Sequence, residues 1–177
     1  VAQLGVAMGI APPSLYAAFG SKEALYREAL ERYLATLGRL GVEELAQSGD
    51  AGEGVRTLLR TAASAFSRPG LPGGCMVGIG ALRCAEGSEV AEQATAQLRG
   101  ASAQVLLRRI ERARREGEID SQSTPRALAD FYSAVIEGMS VLARDGASGQ
   151  RLQAVADAAM AAWPQRRPRR RVQQRAA

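Results

Sequence analysis

Downstream of Thr124-Pro125 the apolar residues Leu128, Phe131, Tyr132, Val135, Ile136, Met139 and Leu142 recur at intervals of three and four. That spacing lines one face of an α-helix and does not match the two-residue alternation of a half-buried strand. Similar stripes run through Leu25, Leu30, Tyr33, Leu34 and Leu37, through Val55, Leu58, Leu59, Ala62 and Phe66, and through Leu98, Val105, Leu106 and Ile110. A last one joins Leu152, Val155, Ala159, Met160 and Trp163. Glycine and proline punctuate them at Gly9, Gly20, Ser48-Gly49-Asp50, Pro69 to Gly74, Gly117, Asp145-Gly146 and Pro164. The pattern predicts an all-α chain of about eight helices with no strand and no internal repeat. Aromatics make up only 5% of the residues, and the abundant Ala, Leu and Arg lose little rotamer freedom in a helix. One helix is expected from the Ser21 cap to about Gln47. Residues 75–86 form a short apolar run whose period fits helix or strand, and their helical surroundings favour helix.

The same residues narrow the function classes. No apolar run reaches the roughly 18 residues that a bilayer span needs, and no signal peptide opens the chain, so a soluble, cytoplasmic protein without membrane contact is expected. Cys75 and Cys84 are too few for a disulfide framework, and histidine is absent. The usual general base and the commonest metal ligand are therefore missing, and neither a metal, a cofactor nor an enzymatic activity is expected. The glycines around Gly78 and Gly80 make no dinucleotide fingerprint, because Arg83 stands where the third glycine belongs.

The formal charge of +5 is unevenly placed. Arg166, Arg167, Arg169, Arg170, Arg171 and Arg175 follow Trp163 without an acid among them, leaving 17 basic residues against 18 acidic ones elsewhere. Residues 164–177 read as a solvated arginine-rich tail with a sequence-independent attraction to nucleic acid. The chain's one lysine is Lys22.

Near the N-terminus, a short helix closed by Gly9 and a second running from Pro12-Pro13 to Phe19 are the elements of a helix-turn-helix. The run Ile10-Ala11-Pro12-Pro13-Ser14-Leu15-Tyr16-Ala17-Ala18-Phe19-Gly20-Ser21-Lys22-Glu23-Ala24-Leu25 closely resembles the signature of the TetR family of transcriptional regulators. There, a recognition helix ending in Leu-Tyr-x-x-Phe runs into a Ser-Lys-Glu-x-Leu helix start. The resemblance implies that Leu15 and Phe19 hold the recognition helix against its neighbours. It implies that Pro12, Pro13, Ser14 and Ala17 face the major groove of a double-stranded DNA operator, and that Tyr16 and Lys22 grip phosphates. Considered alone, Tyr16 also reads as an ordinary surface residue and Lys22 as a solvated charge. The family's headpiece has three helices, of which the first is absent from this sequence. Residues 1–28, the partial headpiece, balance Lys22 and Arg27 against Glu23 and Glu28, so weak or no operator binding is expected of the chain as given.

By the same resemblance, residues 29–163 form a helical body that encloses a small apolar effector and pairs as a homodimer through 124–145 and 148–163. The expected repressor is released when the effector changes headpiece spacing through the linker helix. Phe66, Met76, Ile79 and Leu106 are candidate effector contacts, with Phe131, Tyr132 and Met139 from the strongest stripe; each also reads as plain core. Cys75 lies in a Gly-Cys-hydrophobic segment similar to one in a branch of the family with reactive cysteines. A helix start at Cys75 favours thiolate, which makes it a candidate thiol sensor, with a buried, inert thiol as the other reading. The alternative to a DNA-binding regulator is a dimeric ligand-sensing or partner-binding module without DNA binding.

Overall fold

The computed structural model describes residues 2–38, 41–79 and 89–164. Among these the chain is helical throughout: α1 (Ala2–Met8), α2 (Pro12–Phe19), α3 (Lys22–Thr36), α4 (Val42–Gln47), α5 (Ala51–Phe66), α6 (Met76–Ile79), α7 (Glu89–Glu116), α8 (Pro125–Arg144) and α9 (Gly149–Met160). Caps set several starts. The Ser21, Asp50 and Ser148 side chains each accept a backbone N–H three residues on, and Pro12 and Pro125 occupy first-turn positions where no amide partner is needed. Ala11, by contrast, leaves α2 without a side-chain cap.

The core gathers around α5, which buries Val55, Leu58, Leu59, Ala62, Ala63 and Phe66. It packs on α9 through Leu152 and Ala156 and on α8 through Ala129, Tyr132 and Met139, while α7 adds Leu106, Ile110 and Ala113. Tyr132, fully buried, touches the rings of Phe131 and Trp163 at 5.0 and 5.8 Å, and its hydroxyl reaches the Ala159 carbonyl at 3.4 Å.

The expected helix from Ser21 to Gln47 is two helices. α3 ends at Thr36, and α4 starts after Gly41, which adopts a left-handed φ of 78° that a residue with a Cβ rarely takes. The Leu37 and Gly38 amides both fold back on the Tyr33 carbonyl and close α3. α4 is then fastened to the body by a buried charge cluster. Arg109 of α7 is 1% exposed at its side chain and forks onto both Glu118 oxygens at 3.0 Å, while its Nε donates to the Ser48 carbonyl and hydroxyl. Glu118 Oε2 also accepts the Ala51 amide at 2.7 Å, at the start of α5. Arg112 adds a 2.7 Å bond to the Ser48 carbonyl. Burial pushes the Glu118 carboxyl up, but the Arg109 and Ala51 hydrogen bonds outweigh it and hold it below the ordinary value.

The segment expected as helix over 75–86 is helical at Met76–Ile79; residues 80–88, with Cys84, lie outside the described residues. The arginines of the tail lie outside them too.

Candidate functional site

Two features at opposite ends of α3 make up the site. At its N-terminal end, α1 and α2 form a compact hairpin. Gly9, at φ 65°, turns the chain, and the Ile10 amide bonds the Gly5 carbonyl at 3.0 Å. Gly5 is buried against this turn; a Cβ there would stand 2.8 Å from the Ile10 carbonyl oxygen, so only glycine lets the helices close. Leu15 is buried and Phe19 half-buried, and both look inward. Pro12, Pro13, Ser14, Tyr16, Ala17 and Lys22 are all exposed, Tyr16 at 46%. The fold therefore brings the six expected DNA-facing residues to the open side of α2 and the first turn of α3. Of α1's apolar residues, Leu4, Val6 and Met8 are exposed rather than packed inward.

At the other end of α3 the body holds a cavity of about 410 Å³, within the range of small-ligand pockets. Leu34 and Gly38 close it from α3, Val42 and Leu45 from α4, and Phe66 from α5. α7 supplies Leu98, Leu106 and the small-residue run Gly100-Ala101-Ser102-Ala103, and α8 supplies Ser133, Ala134, Ile136 and Glu137. Two charged residues, Arg99 and Glu137, line an otherwise largely apolar wall. A second cavity of about 290 Å³ lies between Tyr33, Leu71, Pro72, Met76, Ile79 and Arg144. Cys75 lines both.

Of the expected effector contacts, Phe66 and Leu106 line the larger cavity, and Met76 and Ile79 line the smaller one. Phe131, Tyr132 and Met139 line neither cavity. Tyr132 and Met139 are consumed by the core against α5 and α9, and Phe131 points out of the fold at 41% exposure. The reason is geometric: the cavity faces the flank of α8 that carries Ser133, Ala134 and Glu137, which the apolar stripe reaches only at Ile136. The missed residues Arg99 and Glu137 had one faint signal, in that each is a charge set beside apolar neighbours on its helix.

Cys75 is buried; its amide donates to the Ser140 hydroxyl at 2.8 Å, and the Tyr33 hydroxyl donates to its Sγ at 3.4 Å. Cys75 stands one residue before α6, which is described over Met76–Ile79.

A family model, the tetracyclin repressor-like C-terminal domain, matches residues 51–159. The HTH-type transcriptional repressor ComR of Escherichia coli (strain K12) is 30% identical over 171 residues, spanning 93% of this chain and 79% of that protein. This chain belongs to the TetR family. A second relative of this TetR-family chain, the HTH-type transcriptional repressor BdcR of the same organism, is 34% identical over 156 residues, 88% of this chain and 74% of its own length. Among solved structures, the TetR family transcriptional regulator CifR, as a cysteine mutant complexed with 26-bp double-strand operator DNA, superposes with a TM-score of 0.83. It is 41% identical, with 93% of this chain and 86% of that one covered. These relatives are transcriptional regulators rather than enzymes. Among the described residues no helix is long and apolar enough to cross a membrane.

Proposed function

We propose that this TetR-family chain is a DNA-binding transcriptional repressor, working in the cytoplasm as a homodimer and released by a small apolar effector. One observation carries the reading: a single helix, α3, bears Lys22 beside the exposed face of α2 at one end and Leu34 in the wall of the larger cavity at the other. Residues 1–28 act as the DNA-contacting headpiece, 29–163 as the sensing and pairing body, and 164–177 as the basic tail. Tyr16 and Lys22 hold phosphates, Lys22 from a helix N-terminus that favours anions, while Pro12, Pro13, Ser14 and Ala17 meet the groove. Pairing through 124–145 and 148–163 is supported by the exposed Phe131 and Val141 on α8, which a partner's equivalent helix would cover. Relatives named as repressors, and CifR captured on operator DNA, support the same assignment.

The test is a mobility-shift assay of the full-length protein on the DNA upstream of its own gene, with a Tyr16→Phe/Lys22→Ala variant as control. Loss of two phosphate contacts lowers affinity by roughly tenfold or more, evenly across operator sequences, and flattens the salt dependence. If the double variant binds as tightly as the unaltered protein, the placement of the phosphate contacts is wrong. A second reading, a ligand-sensing dimer that does not bind DNA, draws on the zero net charge of residues 1–28. An absence of any shift at low salt, with effector binding intact, would establish it.

For Cys75 we favour the packing role over the thiol sensor. Its Sγ is capped by Tyr33, and the structure brings it only to cavity walls, where an electrophile small enough to enter would meet it.

A further inference from the structure

Glu137 is a costly residue to place where it stands. Its carboxylate lies against Gly78, whose missing side chain leaves the space that Oε2 occupies. No hydrogen bond or ion pair joins it to another described residue, and its half-buried side chain lines the cavity, where a polar group of a ligand could pair with it. Burial pushes its carboxyl above the ordinary value, with Arg99 pulling the other way. Arg99 lines the same cavity and donates one N–H to the Val77 carbonyl at 2.8 Å, leaving further guanidinium donors; no direct ion pair joins it to Glu137. Two opposite charges thus share one mainly apolar cavity without neutralising each other by contact.

We propose that the larger cavity takes an uncharged apolar molecule with one hydroxyl-type head group, which accepts from Arg99 and donates to Glu137. The proposal rests on the effector-cavity reading above and adds the ligand's class and the two residues that select it. A cationic head would gain Glu137 but be repelled by Arg99, and an anionic head would meet the reverse. A neutral group that both donates and accepts gains from each, and the rest of the wall, with Leu34, Leu98, Leu106 and Ile136, suits a hydrocarbon body.

Four probes with one apolar body and different heads test this: toluene, benzyl alcohol, benzylammonium and benzoate, titrated calorimetrically into the full-length protein. Benzyl alcohol should bind at least fivefold more tightly than each of the others. Glu137→Leu should bring benzyl alcohol down to the level of toluene, while Glu137→Gln, whose amide still accepts and donates, should keep most of the preference. Equal affinity for toluene and benzyl alcohol, or tightest binding of a charged probe, overturns the head-group assignment and leaves the cavity reading standing. Ala103→Phe, with Ala101→Phe as a second blocking variant, should weaken all four probes together. If binding persists in both variants, or no probe binds the unaltered protein, the cavity reading itself falls and the head-group assignment with it.

Discussion

The charge cluster at the α4–α5 corner gives the sharpest stability prediction. Glu118→Gln removes the counter-charge of a guanidinium whose side chain is 1% exposed, leaving it the Ser48 oxygens and a single neutral amide oxygen in place of the carboxylate. Removing one partner of a buried pair costs about 3–5 kcal/mol, because the other charge is stranded. Arg109→Met strands a carboxylate that is 21% exposed and still holds the Ala51 amide, so its cost falls lower, at about 2–4 kcal/mol. In the double variant neither charge remains, and the amide oxygen that replaces the Glu118 carboxylate can still accept from Ala51. Its loss should therefore fall short of the sum of the two single losses by about 2 kcal/mol or more. Urea unfolding at one fixed protein concentration measures all four proteins, with a constant slope as the check on two-state behaviour. Additivity within about 0.5 kcal/mol would refute the coupling. The pH dependence has a definite sign. Glu118 has a folded value below its ordinary 4.5, so its contribution is complete above that pH and fades as the pH falls through the lower folded value. The gap between the unaltered protein and Glu118→Gln should narrow only below about pH 4.5.

Other positions answer to simpler measurements. Gly74→Ala meets both a left-handed φ of 89° and a Cβ placed 2.7 Å from the Ser140 carbonyl oxygen, so it should cost about 2–4 kcal/mol in the same unfolding assay. Ser21→Ala removes the oxygen that accepts the Ala24 amide at 3.1 Å and should cost about 1 kcal/mol, read as a lower thermal midpoint. Tyr33→Phe uncovers the Cys75 Sγ, and thiol alkylation at neutral pH should quicken; no reaction in either protein ends the thiol-sensor reading.

The periodic stripes located α5, α7, α8 and α9 closely, because each packs one apolar face on the core and that face is what a 3.6-residue period records. The α2–α3 corner was equally legible, since Gly20, Ser21 and the Leu15–Phe19 pair have local geometric jobs. The break between α3 and α4 was hidden because Leu30, Tyr33, Leu34 and Leu37 continue the stripe up to Gly38, and two glycines outweighed it. The cavity was harder still. A void is bounded by what side chains leave unfilled, here Gly100 to Ala103 and Ala134, and small residues carry little periodic signal. Large apolar residues on a strong stripe, such as Tyr132 and Met139, mark the packed side instead.

Among the described residues α1 and α2 touch only each other and α3, so the headpiece rides on a single strut. α3 has 15 residues and a length of about 22 Å at 1.5 Å per residue. Its anchor on the body is α7, the helix that carries Arg109 of the buried cluster, together with α6. A tilt of about 10° at that anchor swings Lys22 through about 4 Å, close to the spacing of about 3.4 Å between successive nucleotides along one strand. If Lys22 holds a phosphate as proposed, a small displacement at Leu34 would be magnified into a slip of about one nucleotide at the tip, enough to take that grip out of register.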